Sequence, residues 1–226
     1  MTQKIQDSID AASFSRVQDY KKCPRFAYYK HVLKFKEPGN QAMERGSAIG
    51  KMAEQFILGT LKKCPAELKE FEVEFKELRK RKAPCEAQWA FDKEWKPVDW
   101  FAKEAWLRVK TDVYSFSPET KTLLVVDNKT GKYYPYHDEQ LDLYALGGFL
   151  QVPEAEYVDA RLWYLDGGKE LPEEPKIYSR AEVPALKTWW LKETKPMFAD
   201  RRFACKPSAA CRYCFFSKAK NGPCEF

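Results

Sequence analysis

The chain has 226 residues, with 44% apolar and 15% aromatic side chains, a core-forming composition that excludes an intrinsically disordered protein. Its net charge of +6, with 32% charged residues of both signs, permits a polyanionic partner without requiring one. No run approaches the roughly 20 apolar residues of a membrane span, and the first ten residues lack the apolar stretch of a secretory leader. The reading is therefore a cytoplasmic protein with no membrane association, in whose reducing surroundings seven cysteines do not build a disulfide framework.

In chain order, Phe14 to Phe35 carries Val17, Tyr20, Phe26, Tyr29, Val32 and Leu33 at helical spacing, with Ser13 or Ser15 as cap and a break at Pro24. A second helix is predicted from Glu44 to Lys62, with Ile49, Met52, Ala53, Phe56 and Ile57 on one face. Glu67 to Lys82 suits helix or strand. Beyond Pro84 the pattern turns strand-like: Glu86 to Trp95 alternates loosely, and Trp106 to Phe116 and Thr122 to Asp127 form a hairpin across a short turn. A helix follows from His137 to Leu150, bounded by Gly147, Gly148 and Pro153. A strand from Tyr157 to Leu165 pairs with Lys176 to Arg180 across Asp166-Gly167-Gly168, and Ala181 to Ala199 is an amphipathic helix before a loop-like tail. The order predicts an α/β fold, a mixed central sheet flanked by helices, in one domain: a helical segment 1–65, a core 66–200 and a cysteine-rich tail 201–226.

Two acidic residues stand out. Asp112 lies inside an apolar strand and Asp127 ends the next, so a hairpin can bring them side by side. Lys129 projects to the same side as Asp127, two residues along an extended chain. Paired carboxylates repel unless a cation neutralises them, and Mg²⁺ or Mn²⁺ takes oxygen ligands. A lysine beside them can orient water or stabilise charge on a phosphate. On spacing alone, the two aspartates equally suit strand ends and the lysine a solvated turn.

The run Val125-Val126-Asp127-Asn128-Lys129-Thr130-Gly131 resembles the V-D-x-K-T-G signature of the PD-(D/E)XK nucleases, in their RecB-like branch. Asp112 falls where that branch has the aspartate of G-x-x-D, with Val109 in place of the glycine, and Gln140 and Tyr144 match its Q-x-x-x-Y helix. The resemblance implies a restriction-endonuclease-like core and a metal-dependent DNA nuclease, an exonuclease acting on single- or double-stranded ends in recombination, end resection or DNA degradation. Asp112 and Asp127 would be metal ligands, Lys129 would activate water, and Gln140 and Tyr144 would place the strand. Arg16, Lys22, Arg25 and Arg45 are candidate phosphate contacts, and a recombination or single-strand-binding protein is the partner it suggests.

The branch usually carries R-G-x-x-x-H in its early helix, the histidine being a metal ligand, yet Arg45-Gly46-Ser47-Ala48-Ile49-Gly50 puts Gly50 there. Three readings stand: Glu54 one turn along supplies a carboxylate instead, the chain is a catalytically impaired DNA-binding protein of nuclease fold, or the histidine has been replaced to trap an inactive form. His31 and His137 read as surface residues.

Three of the cysteines crowd into the last sixteen residues, in Cys211-Arg212-Tyr213-Cys214 and Cys224, a pattern of metal ligation with Fe–S or zinc as candidates. Tyr20-Lys21-Lys22-Cys23-Pro24-Arg25 resembles the Y-x-x-C-P-R element of cluster-bearing RecB-like nucleases, which implies that Cys23, Cys211, Cys214 and Cys224 hold a [4Fe-4S] cluster, or zinc, joining the chain ends. Cys205 is a rival ligand, while Cys64 and Cys85 read as buried thiols. The Asn221-Gly222-Pro223-Cys224 ending resembles that of phage-encoded members of the branch.

Overall fold

The structure is a computed structural model and describes residues 8–166 and 169–226, with side chains left aside at 169–175. The chain divides into two compact units, one of Met1–Gly39 with Trp189–Phe226, the other of Asn40–Thr188. No helix among the described residues is long and apolar enough to cross a membrane.

The smaller unit opens on α1 (Phe14–Lys22), where the Ser13 hydroxyl accepts the Arg16 N–H and so satisfies one of the free amides of a helix start. Pro24 then begins α2 (Pro24–Ala27), and its ring disfavours helical backbone at the residue before it. Cys23 accordingly swings out to an extended conformation (φ −164°). The predicted break at Pro24 thus separates two helices, the second ending in a π-helical turn over Tyr28–Val32. Phe216 from the tail packs on Phe26 and Tyr29 at ring separations of 5.2 and 5.4 Å, and the Tyr29 hydroxyl donates to the Pro223 carbonyl. Aromatic burial, at about 1.5–3 kcal/mol per side chain, thus joins the first and last segments of this unit.

In the larger unit, α3 (Gln41–Ile57) starts three residues earlier than the periodicity predicts because the Asn40 side chain accepts the Met43 N–H. It stops before Lys62 because Gly59 adopts positive φ (81°) and closes the helix end. Its apolar stripe, Ile49, Ala53, Phe56 and Ile57, packs with Phe75 and Leu78 of α4 (Glu72–Lys80) against Val113, Val126 and Trp163 of the sheet. The ambiguous segment is thus helical, a 3₁₀ stretch over Ala66–Phe71 leading into α4.

Six strands follow: β1 (Cys85–Phe91), β2 (Pro97–Val98), β3 (Leu107–Ser117), β4 (Thr122–Lys129), β5 (Tyr157–Tyr164) and β6 (Lys169–Ser179). Their order is β2-β1-β3-β4-β5-β6, all neighbours antiparallel except β4 and β5. The sheet is mixed and helix-flanked, as the sequence predicts. Residues 167 and 168 of the expected turn before β6 lie outside the described residues. α5 (His137–Gln151) makes the crossover that parallel β4 and β5 need, and α6 (Val183–Ala199) follows β6.

Gly147 and Gly148 do not bound α5, as the sequence reading has it; they lie within it, facing the sheet. A Cβ on Gly147 would meet Val109 at 3.1 Å, and one on Gly148 would meet Leu123 at 2.8 Å. Glycine to alanine inside a helix ordinarily stabilises by up to about 1 kcal/mol. Here overpacking, typically about 1–3 kcal/mol, outweighs that gain. Gly148→Ala is therefore expected to lower stability, and a denaturation midpoint equal to or above that of the native chain would refute the close packing.

Candidate active site

The antiparallel register of β3 and β4, with Val113 opposite Val126, brings the next residues, Asp112 and Asp127, to adjacent positions. Asp112 accepts the Asn128 backbone N–H at 2.6 Å. Asp127, buried at 7% exposure, is held from three sides. The Tyr144 hydroxyl donates to its Oδ1 at 2.5 Å, Gln140 Nε2 donates to the same oxygen at 3.2 Å, and Lys129 Nζ pairs with Oδ2 at 2.5 Å. Gln140 closes the ring: its Oε1 accepts from Lys129 Nζ at 2.9 Å, and its Nε2 donates to the Tyr144 oxygen at 2.6 Å.

The local backbone explains this network. Residues 127 and 129 of an extended strand share a side, and residues 140 and 144 share a helix face. The glycine-mediated approach of α5 to β3 and β4 then brings the two pairs together. Burial and the negative charge of Asp127 hold Tyr144 far above the usual phenol range, so it remains a hydrogen donor at every ordinary pH. Burial, followed by repulsion from Asp127, pushes Asp112 up to about 7; the Asn128 N–H and Lys129 only partly oppose this.

On the other side of Asp112 lies an open cleft of about 400 Å³, lined by Gly46, Gly50 and Glu54 of α3 together with Glu86, Lys110 and Asn128. The three α3 residues are spaced by four and so form one stripe, next to the apolar stripe that anchors the helix. A Cβ at Gly46 would meet Thr130 Oγ1 at 3.0 Å, whereas nothing lies within 4 Å of one at Gly50. The glycine at 46 serves a close approach to the turn after Lys129; the one at 50 leaves open space.

The sequence matches the PD-(D/E)XK nuclease superfamily over residues 11–219. The chain belongs to this superfamily. Among solved structures, it resembles a provisionally assigned exonuclease from Eubacterium rectale at 11% identity, TM-score 0.49, covering 96% of this chain and 89% of that one. It also resembles LHK-Exo in complex with dAMP, at 12% identity and TM-score 0.44, covering 86% of this chain and 91% of that one. No curated protein matches it.

Nucleases of this superfamily use divalent metal, and the donor chemistry here fits a hard cation. Asp127 Oδ2 is buried and, apart from its ion pair with Lys129, accepts no aligned hydrogen bond. Asp112 and Asp127 form a like-charged pair that a cation would relieve. Among the described residues, however, no three His, Cys, Asp or Glu side chains form a group that could hold a metal ion. The carboxylates present are a pair, with Glu54 across the cleft.

The predicted basic contacts have partners within their own units. Arg45 is engaged by Asp166, whose Oδ2 also accepts the Gly131 N–H at 2.7 Å, so this pair ties α3 to the turn after Lys129. In the smaller unit, Arg16 is paired with Asp10 at 2.7 Å, Lys22 lies over the Phe26 ring and Arg25 over Tyr29. Cys23, Cys205, Cys211, Cys214 and Cys224 all line one pocket of that unit, where Cys205 Sγ stands 3.5 Å from Cys224 Sγ. Cys64 and Cys85 are half-buried beside the larger unit's core, and burial pushes the Cys85 thiol up to about 12, which keeps it protonated.

Neither histidine is a free surface residue, contrary to the sequence reading. His31 pairs with Asp19 at 2.8 Å, and His137 Nδ1 lies 2.5 Å from the Tyr164 hydroxyl among tyrosine rings. Glu86 and Lys110 in the cleft, and Asp166 against Arg45 and Gly131, are residues that sequence reading misses. Only the parallel pairing of β4 and β5 brings Asp166 beside Gly131, and the one local sign of Glu86 is a positive φ of 55° that interrupts β1 pairing.

Proposed function

We propose that the chain is a metal-dependent DNA exonuclease. The observation that carries this reading is the closed network of Asp127, Lys129, Gln140 and Tyr144 beside Asp112, which fixes a lysine and a buried carboxylate pair in one place. Asp112 and Asp127 would hold Mg²⁺ or Mn²⁺, with Glu54 as a further carboxylate. When bound, the cation supplies Lewis-acid stabilisation of charge on the phosphate and lowers the pKa of water. Lys129, oriented by Asp127 and Gln140, is placed to direct a water or to neutralise charge on a phosphate oxygen. Tyr144 holds the Asp127 carboxylate in one rotamer by its short hydrogen bond.

The test is a time course on end-labelled linear and circular DNA with Mg²⁺ or Mn²⁺, run beside Gly50→His. Linear DNA is expected to be shortened from its ends while circles survive; inert linear DNA under both metals would refute the reading. The space at Gly50 admits the imidazole, so Gly50→His is expected to fold normally and to bind Mn²⁺ more tightly. A sharp rise in activity for Gly50→His over an inert native chain would establish the impaired, DNA-binding alternative.

We further propose that Cys23, Cys211, Cys214 and Cys224 hold a [4Fe-4S] cluster. Five thiols lining one pocket support this, because thiolates are the soft ligands that iron–sulfur clusters and zinc require, although no three of them stand grouped as a metal site among the described residues. Its role is structural and no chemical step passes through it. Anaerobically purified protein should contain about four irons and be brown; colourless protein holding zinc would overturn the assignment, and Cys205 is the substitute ligand to test next.

A further inference from the structure

Directly after Lys129 the chain runs Thr130-Gly131-Lys132-Tyr133-Tyr134-Pro135-Tyr136-His137, placing three tyrosines and a histidine within five residues. The rings form one assembly. Tyr134 and Tyr136 stack at 5.5 Å with their planes 14° apart, and both meet the edge of His137, at 5.5 and 4.6 Å. Tyr133 makes edge contacts with His137 and Tyr164.

The frame beneath is fixed. His137 is bonded to the Tyr164 hydroxyl, the Tyr133 hydroxyl donates to Asp138 Oδ2 at 2.8 Å, and Tyr164 sits directly beside Lys129 in the parallel β4–β5 register. Burial, and then the nearby Lys129 charge, hold His137 below its usual pKa, so the ring is neutral at pH 7. Tyr133, Tyr134 and Tyr136 keep 38%, 47% and 42% of their surface exposed.

Aromatic area costs free energy when left in water, and a folded chain rarely orders several rings this way beside a polar site without use. We infer that Tyr134 and Tyr136, held by His137, Tyr133 and Tyr164, are a stacking platform for an unpaired base of the strand cleaved at Lys129. This rests on the nuclease reading above. Every base has a π-face, so stacking recognises a single strand without choosing its sequence. Bases inside a duplex have both faces covered by their neighbours and would not fit. The cationic Lys129 and the exposed Lys132 flank the platform on the chain and suit the phosphates on either side of such a base.

The test uses the full chain in EDTA, where nothing is cut, and reads anisotropy of a distally labelled oligonucleotide. Native protein is expected to bind a normal single strand at least about 10-fold more tightly than one whose three terminal nucleotides are abasic. Tyr134→Leu with Tyr136→Leu should erase that difference, and Tyr134→Phe with Tyr136→Phe should retain it. Because phenylalanine keeps the ring, this rescue separates stacking from a mere packing defect. Equal binding of normal and abasic strands by the native chain overturns the platform, as does an equal dependence of blunt duplex binding on the two tyrosines. Metal-supported cleavage is scored separately on the same variants. Base-dependent binding with no cleavage would defeat the nuclease reading and leave the platform standing; cleavage with base-independent binding would do the reverse.

Discussion

Asp127→Asn is expected to reduce phosphodiester cleavage on the order of 10³-fold while leaving the chain folded. Asparagine has the shape of aspartate, and its Oδ1 can still accept from Tyr144 and Gln140, the two neutral contacts that hold this side chain. What disappears is the charge. Lys129 loses its counter-ion at 2.5 Å, and the proposed divalent cation would lose an anionic ligand. Folding should be little affected, because removing one member of a like-charged buried pair offsets the loss of the Lys129 ion pair. The measurement pairs single-turnover cleavage at saturating Mn²⁺ with thermal unfolding in EDTA. Cleavage within about threefold of native, far short of the loss of a charge-stabilising group, would remove Asp127 from the chemistry.

Asp112→Asn is expected to separate stability from activity in opposite directions. In the folded, metal-free chain, burial and Asp127 raise the Asp112 pKa to about 7, whereas an unfolded aspartate titrates near 4. Between these values the folded form binds more protons than the unfolded one, so stability falls as pH rises from about 4 to about 7 and stays low above it. A neutral asparagine can still accept the Asn128 N–H and has no charge to desolvate. At pH 8 in EDTA the variant should be more stable than native by about 1–3 kcal/mol, a range kept below the full shift because the two aspartates titrate together. At pH 4 the two proteins should match. Cleavage should fall as for Asp127→Asn, and Mn²⁺ should raise the native melting temperature more at pH 8 than at pH 5. A variant less stable than native at pH 8 would show that the buried carboxylate is not under electrostatic strain.

Such a site, costly to fold and useful only when charged, is legible in the sequence to a definite depth. Asp127 and Lys129 can be paired from a two-residue strand period, and Gln140 and Tyr144 from a four-residue helix period, because each pair lies within one element. The hairpin of β3 and β4 follows from a short turn between apolar runs, which places Asp112 beside Asp127. The Ser13 cap, the break at Pro24 and the apolar face of α3 are likewise local matters of hydrogen-bonding side chains, ring sterics and periodicity.

What the sequence does not carry is contact between elements far apart along it. Gly147 and Gly148 look like helix terminators, and only the packed sheet beneath them turns them into the reason α5 can approach Asp127. Arg45 shows no partner in the sequence, and only the parallel β4–β5 pairing brings Asp166 to it and to Gly131. His137 looks exposed until Tyr164, on that same neighbouring strand, bonds its ring. Local periodicity and sterics therefore determine which side chains share one side of an element, since those forces act within a few residues. Their partners, their burial and hence the raised pKa of Asp112 were decided by tertiary structure alone, because desolvation and charge coupling depend on what packs nearby in space.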